Sequence, residues 1–195
     1  MDSIRQALDR AAQLTRQVVE SDETIRFIDE LSRMIAKVFK EGGKVLVCGN
    51  GGSAADAMHF AEEFTGRYRK DRRALPVLAL ADPTHITCVG NDYGFSQIFA
   101  RGVEAWGRTG DILIGLSTSG NSENVIQAVK KAEQIKLQTV TLLGKDGGAL
   151  KGKANLQIIV PGVTTDRIQE LHMLLLHITI EQVERQMFPE NYQES

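Results

Sequence analysis

Five short apolar segments recur between residues 44 and 160, and this recurrence constrains the fold more than any other feature of the sequence. The segments are almost continuously apolar rather than alternating, which indicates strands buried on both faces. Helical periodicity separates most of them, and helical crossovers between strands produce a parallel sheet. We therefore predict a three-layer α/β/α sandwich around a five-stranded parallel sheet. The predicted strands are 44–48, 76–81, 111–117, 139–144 and 156–160, and the predicted helices between them are about 53–68, 85–89, 95–106 and 122–135.

Both ends of the chain are predicted to be helical. A capping signal at Ser21-Asp22 divides the N-terminal periodicity into two helices, Gly42-Gly43 ends the second, and a last helix covers about 165–187. We predict one domain over 1–195, with the N-terminal helices in 1–42 and the α/β core in 43–187. The apolar faces of the N-terminal helices exceed what one side of such a domain needs to cover, so we expect them to take part in oligomerisation.

Composition narrows the classes of partner. The net charge of −2 offers no basic field for nucleic acid, and no apolar stretch reaches the roughly 18 residues of a membrane span. Residues 1–10 are charged and amphipathic rather than typical of a signal peptide. Cys48 and Cys88 lie in apolar runs without a CxxC spacing, so we expect two buried thiols in a reducing compartment. We expect a cytoplasmic protein that binds a small molecule, with neither nucleic acid nor membrane as partner.

The first predicted strand runs into a glycine-rich loop, Gly49-Asn50-Gly51-Gly52-Ser53. Glycines permit tight turns and close approach of backbone N–H groups to a ligand. Ser53 can cap the next helix, whose N-terminus attracts anions. A tight turn without a ligand remains the alternative, because the loop is neither a GxGxxG motif nor a P-loop.

A second polar loop, Ser117-Thr118-Ser119-Gly120-Asn121-Ser122, follows the third predicted strand. Hydroxyls and exposed N–H groups can form a phosphate cradle without Lys or Arg. An over-capped helix start would explain one or two of its four hydroxyls, but not all of them. Two such loops at strand ends predict one crevice for a phosphorylated small molecule.

Two helices carry residues that suit acid–base or metal chemistry. His59 and Glu63 are four residues apart and share a helical face. Gln169 and His177 lie about 80° apart around the last helix, whereas His172 lies about 140° from His177 and is expected to face elsewhere. Such residues can chelate a metal or transfer protons. An exposed ion pair at His59–Glu63 and a core histidine at His177 are the alternatives.

Together these motifs resemble those of the phosphoheptose isomerases, a family with the flavodoxin-like SIS (sugar isomerase) fold. The resemblance covers about residues 5 to 187. GLSTSGNS marks only the wider SIS superfamily, while the His59, Glu63, Gln169 and His177 set is more specific. The motifs that carry it are CGNGGSAADAMHFAEEFTGRY, GNDYGF, GLSTSGNS, LLGKDGG and DRIQELH followed by His177.

The resemblance implies an aldose–ketose isomerase that converts sedoheptulose 7-phosphate to D-glycero-D-manno-heptose 7-phosphate for the bacterial cell envelope and its lipopolysaccharide. It implies Glu63 and His177 as the catalytic pair and a homotetramer with active sites where subunits meet. It also implies one zinc ion per subunit, held by His59, Glu63, Gln169 and His177. The implied substrate-binding residues are Asn50, Gly51, Gly52, Ser53, Glu63, Asn91, Asp92, Ser117, Thr118, Ser119, Ser122 and Gln169.

Two other functions fit part of the sequence. A related SIS branch binds the bacterial replication initiator or a sugar phosphate without catalysis; it shares both loops and the IQE-H segment, and Phe188-Pro189 is similar to its tail. That branch lacks the residues that match Glu63 and His177, and this chain keeps both, which favours the enzyme. The second alternative is another SIS isomerase that acts on a different ketose phosphate. The length of the pocket decides between these substrates, and the loop residues alone do not reveal it.

Overall fold

The fold is described for residues 1–193 of a computed structural model. Within this part of the chain, five strands form one parallel sheet in the order β2-β1-β3-β4-β5. The strands are β1 Val45–Gly49, β2 Val77–Ala79, β3 Ile112–Ser117, β4 Gln138–Leu143 and β5 Leu156–Ile159. The helices are α1 Asp2–Val19, α2 Asp22–Lys40, α3 Gly52–Thr65, α4 Pro83–Tyr93, α5 Ile98–Trp106, α6 Glu123–Gln134 and α7 Thr165–Met187. Short 3₁₀ turns cover Phe95–Gln97, Gly148–Leu150 and Pro189–Tyr192.

The two faces of the sheet are covered by different helices, as the apolar strands predict. Val45 and Val47 of β1 pack in a core with α2, α3 and α7, whereas Leu46 and Cys48 pack in a second core with α4, α5 and α6. The predicted three-layer α/β/α sandwich is therefore confirmed. Its strand order is the flavodoxin-like one, which reverses direction between β1 and β3, and ligands of such folds bind at that point beyond the carboxyl ends of the strands.

Several predicted boundaries move because of local capping. The side chain of Asp82 accepts a hydrogen bond from the backbone N–H of His85 at 2.7 Å and Pro83 occupies the first turn, so α4 begins earlier than predicted. The expected Ser53 cap is wrong: Gly51, with φ of 55°, is the N-cap of α3, and Ser53 is buried in the first turn. Gly66 ends α3 before the predicted residue 68.

The expectation of two buried thiols is half wrong. Cys48 is buried in β1, and burial raises the pKa of its thiol to about 12. Cys88 is exposed on α4. Its neighbour Val89 faces the core, and consecutive helical residues point about 100° apart, so an apolar run on a helix does not bury all its members.

Helix α1 leaves much of its apolar surface uncovered. Val18 is its only buried residue, and Ile4 and Leu8 are 64% and 66% exposed. Val19 and Ile25, where α1 meets α2, are also exposed. None of the helices in residues 1–193 combines the length and the apolar character of a membrane span.

Candidate active site

The two polar loops lie side by side at the point where the strand order reverses. Strands β1 and β3 are neighbours, with Gly49 opposite Leu116 at their carboxyl ends. The carboxamides of Asn50 and Asn124 exchange two hydrogen bonds of 2.8 Å, which join the first loop to the start of α6. The two loops that were predicted to form one crevice are therefore adjacent. The side chain of Asn50 is engaged in holding the loops together.

The glycines of the first loop are needed for close packing as well as for turning. Gly51 has a positive φ that favours glycine. A Cβ at Gly52 would collide with the carboxamide of Gln169, so α7 can approach this loop only because Gly52 has no side chain. The helix that carries Gln169 is consequently brought against the helix that carries His59.

The hydroxyls of the second loop divide into internal and outward groups. Ser117 is buried, and its Oγ lies 3.0 Å from Ser122 Oγ and accepts from the N–H of Gly120 at 3.1 Å. Ser119 Oγ accepts from the N–H of Asn121 at 3.2 Å. Ser122 is the N-cap of α6, but its side chain makes no capping hydrogen bond. Thr118, Ser119 and Ser122 are partly exposed, so their hydroxyls are accessible to a ligand, while Ser117 shapes the loop.

His59, Glu63 and His177 form a compact cluster, called the triad below. Nε2 of His59 lies 3.3 Å from Oε1 of Glu63 and 3.4 Å from Nε2 of His177. One ligand atom from each residue lies within 4.8 Å of the others. The structure therefore brings His59 and Glu63 of α3 together with His177 of α7, as the resemblance implied.

The triad suits a zinc ion in both chemistry and spacing. Two imidazoles and a carboxylate form one of the common ligand sets of catalytic zinc. Ligands at the usual zinc distances and tetrahedral angles lie about 3.3 Å from one another. Two of the three separations between the triad atoms, 3.3 and 3.4 Å, match that value, and the third lies within 4.8 Å.

Gln169, the fourth expected ligand, bonds to Asp56, whose carboxylate lies near His59 and His177. Nε2 of Gln169 donates to Oδ1 of Asp56 at 3.1 Å. The pKa of Asp56 is raised above its usual value because the effect of burial outweighs the opposing effects of the Gln169 hydrogen bond and of His59 and His177. Oδ2 of Asp56 is buried without a hydrogen-bond partner in residues 1–193.

The surroundings of His177 favour its neutral form. Burial lowers the pKa of His177 and the neighbouring His59 lowers it further, against the opposing effect of Glu63 and Asp56. A neutral imidazole is the form that ligates metals. The ring of Tyr68 stacks on His177 with centroids 6.0 Å apart and an angle of 24°, which limits the orientations of the imidazole.

Two predictions from α7 and α4 have different outcomes. His172 is fully buried and its Nε2 lies 3.0 Å from the carbonyl oxygen of Leu143, so it faces away from the triad as predicted. Asn91 and Asp92 are exposed on α4 and bond to each other at 2.8 Å. Within residues 1–193 they make no hydrogen bond to the triad or to either loop, so their role stays a prediction.

Sequence reasoning missed several residues that organise the site. Asp56 lies one turn before His59, on the face of α3 shared with Glu63, and this helical spacing could have revealed it. Tyr68 and Asn124 carry no signal of this kind, because their partners are distant in sequence.

The chain is similar in sequence and in structure to known proteins. The profile of the SIS domain family matches residues 6–144. A phosphoheptose isomerase of Fusobacterium nucleatum is 59% identical over 182 residues, 93% of this chain and 94% of that protein. One from Escherichia coli is 51% identical over 187 residues, 95% of this chain and 97% of that protein. The structure of a phosphoheptose isomerase from Francisella tularensis is similar with a TM-score of 0.90 and 36% identity, covering 94% of this chain and 97% of that chain.

The strand order, the two loops and the profile match define a SIS-domain protein. The identities, which extend over nearly the whole of both chains, are more specific: the chain belongs to the phosphoheptose isomerase family. The resemblance found in the sequence motifs is thereby confirmed.

Proposed function

We propose that this chain is an isomerase that converts sedoheptulose 7-phosphate into D-glycero-D-manno-heptose 7-phosphate. The observation that carries the proposal is the convergence of His59, Glu63 and His177 beside a hydroxyl-rich loop at the reversal of strand order. Membership of the phosphoheptose isomerase family supplies the substrate class. The relatives at 59% and 51% identity are phosphoheptose isomerases, which gives no support to a silent binding protein.

The reaction moves a proton between C1 and C2 of an open-chain sugar through an enediol. Glu63 is our candidate for the base that removes the C1 proton and returns it to C2. His177, 3.4 Å from His59 and stacked on Tyr68, is our candidate for the group that moves a proton between the C1 and C2 oxygens. Because both side chains start in a cluster within 4.8 Å, one substrate can contact them together.

His59, Glu63, Gln169 and His177 would hold one zinc ion per subunit. Because ligation lowers the basicity of a carboxylate, Glu63 would leave the ligand set when it acts as the base. When bound, zinc supplies Lewis-acid polarisation of the carbonyl and hydroxyl oxygens. Asp56 accepts from Nε2 of Gln169, and this contact would fix the orientation of the carboxamide behind the ligand set.

The 117–122 loop is proposed to bind the phosphate. Its accessible hydroxyls and the N-terminus of α6 point to an anion. Anchoring the phosphate far from C1 and C2 orients the reacting carbons over Glu63. We propose Asn50, Gly51, Gly52 and Ser53 as the other wall of the sugar site.

We further propose that the enzyme is a homotetramer built partly through residues 1–42. The exposed Ile4 and Leu8 on α1, and the exposed Ile25 on α2, support an interface there. Asn91 and Asp92 would then contact sugar hydroxyls in a site completed by a neighbouring subunit.

The proposed place of action is the cytoplasm, in a pathway that supplies heptose to the bacterial envelope, and the two free thiols are compatible with a reducing compartment.

The test is an isomerase assay on the zinc-loaded protein in D₂O, followed by NMR. We expect sedoheptulose 7-phosphate to yield the aldose with deuterium at C2, because an enediol exchanges its proton with solvent. Ketopentose and ketohexose phosphates in parallel reactions separate this enzyme from other SIS isomerases. Zinc content is measured on protein purified without chelators. Absence of turnover of the heptose by zinc-loaded protein would contradict the proposal.

A further inference from the structure

A buried arginine outside the triad connects the two helices that carry it. Arg72 lies in the segment after α3, and its side chain is 1% exposed. Its Nη2 donates to the carbonyl oxygen of Glu63 at 2.6 Å, and its Nη1 donates to those of Phe64 and Gly66 at 2.8 and 2.7 Å. The last carbonyls of a helix have no partner within the helix. The guanidinium therefore closes the C-terminal end of α3, starting at the backbone of Glu63 itself.

The same guanidinium is paired with α7. Nε of Arg72 donates to Oε1 of Glu184 at 2.8 Å, and the Glu184 side chain is fully buried. The other carboxylate oxygen of Glu184 accepts from the hydroxyl of Tyr192 at 2.9 Å. A buried ion pair is tolerated when its remaining hydrogen-bonding groups are satisfied, and here both carboxylate oxygens are.

The positions of these contacts relate them to the triad. Glu184 is seven residues after His177, about two turns along the same face of α7. Arg72 therefore links the backbone of Glu63 on α3 to the face of α7 that carries His177. Sliding or rotation of α3 against α7 would change the 3.4 Å separation of the His59 and His177 nitrogens. Metal sites tolerate ligand distances only within about 0.2 Å of their usual values.

We propose that Arg72 is a positioning residue: through Glu63 and Glu184 it sets the register of α3 against α7, and thereby the geometry in which the triad holds its metal and its substrate. The inference rests on the proposed zinc site. Arginine is required because its planar fork reaches three carbonyls at the end of α3 and a carboxylate of α7 at once, which the point charge of a lysine cannot do.

The test compares Arg72→Lys and Glu184→Gln with the wild-type holoenzyme, well below the melting temperature of each protein. Zinc affinity is measured by competition with a chromophoric chelator, and triad geometry by the visible spectrum of the cobalt-substituted protein. We expect zinc affinity to fall about 10–100-fold, as for other changes behind metal ligands. We also expect altered cobalt bands and a lower kcat with little change in KM, because the phosphate loop is untouched. Tyr192→Phe serves as the test if a buried variant does not fold, because it removes only the hydroxyl that donates to Glu184. We expect it to lower zinc affinity and alter the cobalt bands in the same direction, but by less.

A matched control is available at the opposite end of the sheet. Asp111 is buried and pairs with Lys44 at 2.5 Å, where β1 and β3 begin. Asp111→Asn is expected to lower the melting temperature without changing zinc affinity or the cobalt spectrum. The positioning role would be overturned if the Arg72 and Glu184 variants had the zinc affinity and the cobalt spectrum of wild type. It would also be overturned if Asp111→Asn lowered zinc affinity as much as those variants do. A wild-type protein that binds no zinc would instead defeat the proposed metal site and the inference with it.

Discussion

Nε2 of His59 and Nε2 of His177 lie 3.4 Å apart although 118 residues separate them in the chain. Two imidazole nitrogens at this distance can share a hydrogen bond or ligate one cation. The approach of α7 to the glycine loop, where Gly52 leaves room for Gln169, makes the contact possible. Loss of that approach would separate the nitrogens while leaving both helices intact.

Glu63→Gln tests the proposed base. Glutamine keeps the size and much of the hydrogen bonding of the side chain but cannot accept the C1 proton. We expect kcat to fall by at least about 10²–10⁴-fold, the usual contribution of a general base, together with weaker zinc binding. Steady-state kinetics and zinc content on the purified variant measure both effects.

Glu62→Gln is the matched control, since Glu62 adjoins Glu63 in sequence. Its carboxylate lies 3.7 Å from Nε2 of His59, but its side chain is 66% exposed and it is not part of the triad. We expect nearly wild-type kcat from this variant. Equal kcat values for Glu63→Gln and wild type would end the proposed mechanism.

Local periodicity accounts for what the sequence predicted correctly. Apolar runs gave five strands, the i,i+4 spacing put His59 beside Glu63, and rotation around α7 separated His172 from His177. Arg72 could not be found in this way, because its partner Glu184 is 112 residues distant and its loop has no periodicity. Exposure of Cys88 was missed for a related reason, since an apolar run does not say which residue of a helix faces solvent.

The double variant Ser119→Ala, Ser122→Ala tests the phosphate loop. Each hydroxyl that contacts the phosphate contributes roughly 1.5–3 kcal/mol, so KM is expected to rise tenfold or more. The melting temperature should fall only slightly, because both side chains are partly exposed and water can replace their bonds to the Asn121 N–H and to Ser117 Oγ. Ser117→Ala should behave differently and lower stability, since the Ser117 hydroxyl accepts from Gly120 inside the loop. An unchanged KM in the double variant would argue against the cradle.

His177→Gln tests whether the histidine acts in the reaction or only fills space. Loss of the imidazole is expected to lower kcat about 10²-fold or more and to weaken zinc binding. Binding of a substrate-like phosphate, measured by calorimetry, should survive because the 117–122 loop is unchanged. A variant with normal turnover and only a lower melting temperature would show a structural histidine.

Leu8→Glu tests the oligomerisation surface of α1. Leu8 is 66% exposed in the single chain, so a charge there costs little within one subunit but much within an apolar interface. We expect wild type to sediment as a tetramer at micromolar concentration and Leu8→Glu to sediment as a smaller species. Arg5→Glu, a change of charge at a residue that is already polar and exposed on the same helix, is the control. Wild type sedimenting as a monomer would contradict the tetramer.

His172 makes stability depend on pH in a predictable window. Burial lowers the pKa of His172 to about 4, whereas a histidine in the unfolded chain has a pKa of about 6.5. Its Nδ1 is buried without a hydrogen-bond partner in residues 1–193. Between these values the unfolded chain binds a proton that the folded chain refuses, so the free energy of unfolding rises with pH. The contribution is complete above about pH 6.5 and is lost as pH falls towards 4; by pH 5 the loss is about 2 kcal/mol. Urea unfolding of wild type and His172→Gln at pH 7.5 and 5, at equal protein concentration, isolates this histidine from the carboxylates. We expect wild type to lose about 2 kcal/mol more than the variant over this interval, and parallel pH profiles would refute the assignment.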